Sequence, residues 1–259
     1  MTSLPALFVG HGSPMNAIED SAFRRSWTAL GRSLPKPEAV LCVSAHWETR
    51  GVAVTGSQAP PTIHDFYGFP DALFAVRYPA PGDPALARRV ASLVSSGEVL
   101  IDAERGLDHG CWSVLVAMYP EADVPVLQLS LDSRQPGSFH HDLGRQLAPL
   151  RDTGVLILGS GNIVHNLRLA DFGMDGGYDW AERFDATVRG RIEAGDHEAL
   201  ADYRALGPDA ALAVPTPEHY LPLLYALGAR RERDAVRIFN AATTLGSISM
   251  TSVVVGAEP

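Results

Sequence analysis

The sequence predicts an α/β fold, in which helices cover both faces of a central sheet that is mostly parallel or mixed. Two observations predict this fold class. Short apolar runs of four to eight residues alternate along the chain with amphipathic helical patterns. No linker-like stretch or internal repeat divides the 259 residues, so residues 1–259 are expected to form one layered α/β/α domain.

Each strand is predicted from a short apolar run bounded by turn-forming or polar residues. In chain order these runs are Ala6–Gly10, Ala39–Ser44, Val52–Thr55, Leu73–Tyr78, Val99–Asp102, Val124–Leu129, Val155–Leu158, Val236–Phe239 and Met250–Val255. Helical spacing of apolar residues predicts helices at about 21–33, 84–95, 112–118, 138–149, 180–193 and 218–227. The second helix has the clearest start, because Asp83 is a favourable N-cap and Pro84 suits the first helical position.

Segments of small residues directly follow three of the predicted strands, at residues 10–13, 44–46 and 159–162. Ligands of open α/β sheets bind beyond the carboxyl ends of the strands. A functional site is therefore expected at this edge of the sheet.

Composition and charge argue against several classes of protein. The chain carries 21 basic and 30 acidic residues, a net charge of −9, so nucleic acid or an anionic membrane surface is not expected as a partner. The amino terminus lacks the features of a signal peptide, and no apolar stretch approaches the roughly 18 residues that would cross a bilayer. We expect a cytoplasmic protein in which Cys42 and Cys111, both within apolar runs, are buried free thiols.

Common catalytic motifs are missing from the sequence. No serine has glycines two residues away on both sides, as a nucleophile elbow requires. The pairs Gly10–Gly12 and Gly159–Gly161 lack the third glycine of a dinucleotide fingerprint, and there is no P-loop.

Five of the nine histidines occupy predicted strand ends, loops or rigid turns: His11, His46, His109, His165 and His219. They could converge on one metal ion, since imidazole suits iron, zinc, copper and nickel. The alternative is that each is a surface or hydrogen-bonded loop histidine, and spacing alone does not decide between the two. That alternative is preferred for the histidines on polar helical stretches, which are His140, His141 and His197. His64 lies in the aromatic segment 63–70, which could form a pocket wall or lid.

Seven blocks, in order along the chain, carry a family resemblance: HGSP (11–14), SAHWE (44–48), HDFYGFP (64–70), YPAPG (78–82), GLDHG (106–110), GSGN (159–162) and PEHY (217–220). Together they resemble the class III extradiol ring-cleavage dioxygenases of the DOPA-dioxygenase type, relatives of the catalytic subunit of protocatechuate 4,5-dioxygenase. The resemblance implies an oxidoreductase that inserts both atoms of O₂ into a catechol such as DOPA. Cleavage at the 4,5 position would give a seco-DOPA semialdehyde.

The same resemblance implies a divalent metal held by His11, His46 and His219. His165 would be either the catalytic base or a fourth metal-site residue, and His109 would lie near the substrate's hydroxyls. Ser13 and His64 are expected to contact the substrate. Glu218 is an alternative to His219 as the third ligand, with His219 favoured. Fe(II) is the metal expected for activity, and Zn(II) is expected in the purified protein.

Two other functions use the same residues. One is a zinc-dependent hydrolase that activates water and needs no O₂, and the other is a non-catalytic metal-binding relative. The expected partners are a small-molecule catechol and O₂, and the chain is expected to be a monomer or a homodimer. Each ligand ring should also donate its second N–H to an oxygen, for which the neighbouring candidates are Glu48, Asp65, Asp108 and Glu218.

Overall fold

A sheet of eight strands runs through residues 3–256, which are the residues that the computed structural model describes. The strands of the chain are β1 (Ala6–Gly10), β2 (Ala39–Glu48), β3 (Val52–Thr55), β4 (Val99–Asp102), β5 (Val126–Leu131), β6 (Val155–Gly161), β7 (Ala235–Phe239), β8 (Thr243–Thr244), β9 (Ile248–Ser249) and β10 (Ser252–Gly256). The sheet order is β4-β3-β5-β2-β6-β1-β10-β7, and β8 and β9 form a separate two-stranded hairpin. The central strands β5, β2, β6 and β1 are parallel, whereas β10 and β7 are antiparallel at one edge. The predicted α/β fold with a mixed sheet is confirmed.

Nine α-helices accompany the sheet within residues 3–256: α1 (Ala22–Ser33), α2 (Asp71–Phe74), α3 (Pro84–Leu93), α4 (His109–Met118), α5 (Gly137–Leu147), α6 (Asp179–Ala194), α7 (His197–Ala201), α8 (Ala210–Ala213) and α9 (Leu221–Gly228). Alternating strand residues divide the core into two layers, because successive side chains of a strand point to opposite faces. Phe8 belongs to the layer that contains Leu143 of α5 and Leu224 of α9. Leu7 belongs to the layer that contains Trp27 of α1 and Trp112 of α4. Helices therefore cover both faces of the sheet.

The predicted strand Leu73–Tyr78 is wrong. Pro70 precedes the short helix α2, in which the Ala75 N–H donates to the Asp71 carbonyl at 2.9 Å, and an irregular segment follows. Leu73 and Tyr78 are both buried, but they lie five residues apart and do not follow the two-residue alternation of a strand. An apolar stretch that supplies isolated anchors to the core was mistaken for a sheet element.

Several boundaries also differ from the prediction. Strand β2 continues to Glu48, so His46 lies inside the strand and not after it. Helix α4 begins at His109, about three residues earlier than predicted, because the Asp108 carboxylate accepts the Cys111 N–H and caps the helix. Helix α9 begins at Leu221 and not near 218. The short helices α7 and α8 and the hairpin β8–β9 were not predicted.

Two other expectations concern the cysteines and membrane-spanning helices. Cys42 and Cys111 are both buried and free, as predicted. Among residues 3–256, no helix combines the length and apolar character required to span a membrane.

Candidate metal centre

Three neighbouring parallel strands bring the first site residues together. In the sheet register, Val9 of β1 and Ser44 of β2 both pair with Ser160 of β6. His11 and His46 each lie two residues beyond their paired positions, and their rings meet on one side of the sheet with centroids 5.1 Å apart. The His11 N–H donates to the Gly161 carbonyl at 3.0 Å, which extends the pairing to the histidine itself.

The end of β6 also places the remaining side of the site. The Asn162 N–H donates to the His219 carbonyl at 2.8 Å, which holds the turn before α9 against the strand. A Cβ atom at Gly161 would lie 2.1 Å from that carbonyl oxygen, so the close approach requires glycine. His165 follows β6 and forms a bridge with Ile248 of β9. The fold therefore delivers both histidines to the strand end that carries His11.

The five histidines of the strand-end set form one cluster. Ring centroids lie 5.1 Å apart for His11 and His46, 3.9 Å for His46 and His109, and 4.9 Å for His46 and His219. The rings of His165 and His219 stack with centroids 3.4 Å apart and an angle of 7° between their planes.

The nitrogen atoms fall into two adjoining groups. His11 Nε2 and His46 Nε2 lie 3.1 Å apart. Donor atoms of His11, His46 and His109 lie within 4.8 Å of one another, and so do those of His165, Glu218 and His219. Each group contains members of the expected four-histidine set: His11 and His46 lie with His109, and His165 and His219 lie with Glu218.

Burial favours the neutral form of four of these imidazoles, those of His11, His46, His165 and His219. Burial, reinforced by the charges of neighbouring histidines, lowers the pKa of His46 and His165 to about 3. The same causes lower the pKa of His11 and His219 well below the ordinary value. Neutral imidazole is the form that binds a metal ion, so the cluster is ready to coordinate at neutral pH without releasing protons.

Hydrogen bonds determine which ring nitrogen of His11 faces the histidine cluster. The Ser160 hydroxyl donates to the Gly110 carbonyl at 2.5 Å, so its oxygen accepts from His11 Nδ1 at 3.0 Å. With the proton on Nδ1, Nε2 of His11 keeps its lone pair and faces Nε2 of His46 at 3.1 Å. An oxygen partner of this kind is typical of metal-binding histidines.

His219 has the same arrangement with a different partner. Its Nδ1 lies 3.3 Å from Glu218 Oε1, and its Nε2 is buried with no hydrogen-bond partner among the described residues. A buried ring nitrogen without a partner is costly unless a ligand satisfies it. The lone pairs, the burial and the oxygen partners together fit a divalent transition metal.

The four carboxylates considered as partners have different roles. Asp65 contacts two histidines, since Oδ1 lies 2.9 Å from His109 Nδ1 and Oδ2 lies 3.9 Å from His46 Nδ1. Glu218 contacts His219, whereas Glu48 is exposed at the end of β2. Asp108 contacts none of these ring nitrogens.

Asp108 instead supports the backbone around the site. It is fully buried and accepts hydrogen bonds from Ser44 Oγ and Gln128 Nε2, both at 2.7 Å. Burial raises the pKa of Asp108, and these two hydrogen bonds oppose that rise. Ser44 Oγ in turn accepts the His46 N–H at 3.2 Å, so Asp108 links the cap of α4 to strand β2.

The two expected substrate contacts lie at different places. Ser13 Oγ accepts the Met15 N–H at 3.2 Å and caps a short 3₁₀ turn directly after His11. His64 Nε2 lies 3.0 Å from the carbonyl of Val76, which follows α2, and the centroid of its ring lies 5.5 Å from that of Trp112. Phe66 of the same loop meets the ring of His109 edge-on at a centroid distance of 5.5 Å. An aromatic wall therefore borders the cluster, as the segment's composition suggested.

The remaining histidines are hydrogen-bonded elsewhere. His140 is buried on α5 with Nδ1 3.1 Å from Tyr225 Oη, and His141 Nε2 lies 3.0 Å from His197 Nδ1. Sequence reasoning missed Ser160 as a partner of His11. The available signal was a serine near the end of the otherwise apolar strand β6.

Comparisons with known proteins identify the family of this chain. Residues 5–256 match the family described as the catalytic LigB subunit of aromatic ring-opening dioxygenase. A protein of Escherichia coli (strain K12) named 4,5-DOPA dioxygenase extradiol is 48% identical over 260 residues, covering 98% of this chain and 96% of the relative. A Beta vulgaris protein of the same name is 42% identical over 252 residues, covering 95% and 94%. A crystal structure of an uncharacterized protein from Escherichia coli K12 superposes with a TM-score of 0.85 at 44% identity, covering 98% of this chain and all of that one.

Proposed function

The chain belongs to the family of the catalytic LigB subunit of aromatic ring-opening dioxygenases, and from that membership we propose its substrate, its metal and its site residues. It is an extradiol dioxygenase, an oxidoreductase that opens the ring of a catechol with O₂. The proposed substrate is DOPA, cleaved at the 4,5 position to a seco-DOPA semialdehyde. The observation that carries this proposal is the cluster of five histidines, in a chain 48% identical to a relative named for that reaction. The comparisons do not support the alternative functions of zinc hydrolase or non-catalytic metal binder.

His11, His46 and His219 are proposed to hold the metal, with His165 beside them as a fourth ligand or as the base. The observations in favour are the hydrogen bond that places the proton of His11 on Nδ1, the unpartnered Nε2 of His219 and the 3.1 Å that separates Nε2 of His11 from Nε2 of His46. We propose Fe(II) for activity and Zn(II) in purified protein. Bound Fe(II) would supply a redox-active centre that brings catecholate and O₂ together, which Zn(II) lacks.

The protein's own residues are proposed to bind, orient and deprotonate the catechol. Burial lowers the pKa of His165 to about 3, so its ring is neutral at pH 7 and has a lone pair that can accept the hydrogen of a catechol hydroxyl. Stacking on His219 holds this ring beside a proposed metal ligand. His109 is proposed to hydrogen-bond a substrate oxygen from the opposite side. Ser13 and the aromatic loop with His64 and Phe66 are proposed to border the ring of the substrate. The single domain over residues 1–259, a cytoplasmic location and a monomeric or homodimeric state stay predictions.

Anaerobic reconstitution with Fe(II), followed by DOPA and air, tests the activity. We expect O₂ uptake with formation of a yellow ring-cleavage product, and neither from the Zn(II) form. If the iron-loaded protein consumes no O₂ with DOPA or with a panel of other catechols, the proposed function is refuted. Hydrolysis without O₂ uptake would favour the hydrolase.

Paired substitutions test the third ligand. We expect His219→Ala to abolish metal retention, because it removes the buried Nε2 that has no other partner. Glu218→Gln should lower metal affinity by only about 10-fold, since an amide oxygen still accepts the Nδ1–H. Metal content after gel filtration distinguishes them, and the reverse order would assign Glu218 as the ligand.

A further inference from the structure

The carboxylate of Asp65 lies against two rings of the histidine cluster without belonging to either tight group of metal donors. We propose that Asp65 is a positioning residue, which fixes the ring of His109 with its proton on Nδ1 and its Nε2 free for a substrate oxygen. The substrate contact rests on the proposed function, whereas the ring orientation does not.

Three contacts join Asp65 to the cluster. Its Oδ1 accepts the backbone N–H of His109 at 2.9 Å and lies 2.9 Å from Nδ1 of the same residue. The contact with Nδ1 lies off the axis of the ring N–H, and Nδ1 of His109 has no aligned hydrogen-bond partner among the described residues. Its Oδ2 lies 3.9 Å from Nδ1 of His46. Both oxygens therefore face ring nitrogens, and the carboxylate bridges a proposed ligand and a proposed substrate-binding residue.

An ionised carboxylate selects the tautomer of its histidine. Asp65 Oδ1 lies 2.9 Å from Nδ1 of His109, which is closer than an oxygen and a nitrogen that both lack a hydrogen would approach. A carboxylate without a proton can only accept, so the nitrogen facing it must carry the hydrogen. With the hydrogen on Nδ1, the lone pair of the His109 imidazole is on Nε2, where it can accept a hydroxyl hydrogen of the catechol.

The loop that carries Asp65 is held rigidly against α4. The Ile63 N–H donates to the Leu107 carbonyl at 2.7 Å, and the Trp112 ring N–H donates to the Ile63 carbonyl at 2.8 Å. Residues on both sides of His109 are thus tied to the segment just before Asp65. Such support makes the carboxylate a fixed reference for the ring.

His165 offers an internal contrast. Among residues 3–256, no carboxylate hydrogen-bonds to the ring of His165, which is held by stacking on His219. A stacked ring keeps its plane but does not have a selected tautomer. Of these two histidines, His109 is therefore the one whose tautomer is selected by a carboxylate, that of Asp65.

The test compares Asp65→Asn and Asp65→Ala with Asp83→Asn. Asp83 caps α3 by accepting two backbone N–H groups, so its amide variant is a matched change of a hydrogen-bonding carboxylate in a different part of the fold. Zinc-loaded protein labelled with ¹⁵N-histidine reports each ring tautomer by long-range ¹H–¹⁵N correlation. The signals of His109 are assigned by their loss in His109→Gln.

We expect the Nδ1–H tautomer at His109 in the unsubstituted protein and in Asp83→Asn, and a shift toward the Nε2–H tautomer in Asp65→Ala. With iron and DOPA, kcat should fall by about 10–100-fold in Asp65→Ala, with metal content retained. Asp65→Asn keeps an oxygen for the backbone N–H and should show an intermediate loss at unchanged thermal stability, so it decides the question if Asp65→Ala does not fold.

Each remaining outcome has a definite meaning. An Nδ1–H tautomer that persists at His109 in both Asp65 variants overturns the proposal, and so does an Nε2–H tautomer in the unsubstituted protein. If the tautomer shifts while no catechol is turned over by the unsubstituted enzyme, the positioning role stands and the proposed function fails.

Discussion

Replacing Ser160 by alanine removes the hydroxyl that joins the Nδ1–H of His11 to the Gly110 carbonyl. Both hydrogen bonds are buried, at 3.0 Å and 2.5 Å, so the change leaves a ring N–H and a carbonyl oxygen without their partner. The freed ring can rotate or exchange its tautomer, and either event turns the lone pair away from the centre. Loss of such a partner lowers metal affinity by about 10–100-fold. At 1.36 kcal/mol per factor of ten, this is about 1.4–2.7 kcal/mol of binding free energy.

Ser160→Ala should also lower the free energy of unfolding, so a control variant is needed to separate lost stability from lost metal affinity. Ser130 is also fully buried and makes two hydrogen bonds, with Thr49 Oγ1 at 2.6 Å and the Ala53 N–H at 2.7 Å, away from every histidine ring. We expect Ser160→Ala and Ser130→Ala each to lower the free energy of unfolding by about 1–3 kcal/mol. Only Ser160→Ala should also weaken zinc binding.

Competition with a chromophoric zinc chelator measures the dissociation constant in both variants, and urea unfolding measures their stability. The reasoning is refuted if Ser160→Ala binds zinc within about twofold of the unsubstituted protein. It is equally refuted if both variants lose affinity by the same factor, because the effect would then follow from general destabilisation.

Two further predictions concern packing and pH. Gly110→Ala should abolish tight zinc binding, because the added Cβ would lie 2.8 Å from Cδ2 of His46. Gly190→Ala on α6 is the control and should bind zinc normally, because no atom lies within 4 Å of its added Cβ. A chelator titration that finds equal zinc affinities for the two variants would contradict this prediction. Burial lowers the pKa of His140 to about 4, so the unfolded chain, with a pKa near 6.5, binds more protons between these values. The contribution of His140 to the free energy of unfolding is therefore complete above pH about 6.5 and is lost as the pH falls through 4, by about 3 kcal/mol in total. His140→Gln, which can still bond Tyr225, should have a shallower acid limb in urea unfolding, and parallel limbs would show that His140 does not titrate in this way.

The sequence predicted the fold class because local periodicity reflects burial directly. Strands Ala6–Gly10, Val52–Thr55 and Val99–Asp102 have the predicted bounds, since each apolar run ends where the chain leaves the sheet. The stretch Leu73–Tyr78 failed because two buried side chains on an irregular segment look like part of an apolar run. Periodicity records that a residue is buried, but not which secondary structure buries it.

For the site, the sequence determined which chemical groups are available and that five histidines lie near strand ends or turns. It could not determine which nitrogen atoms meet, because His11, His46, His165 and His219 are separated by 35, 119 and 54 residues. The register that pairs Val9 and Ser44 with Ser160 decided that, as it carries His11 and His46 to one side of the sheet. Tertiary burial lowers the pKa of four of the five site histidines. It also brings Ser160, Glu218 and Asp65 to face particular ring nitrogens. Protonation and ring orientation depend on distances of about 3 Å between residues far apart in sequence, so only the folded chain specifies them.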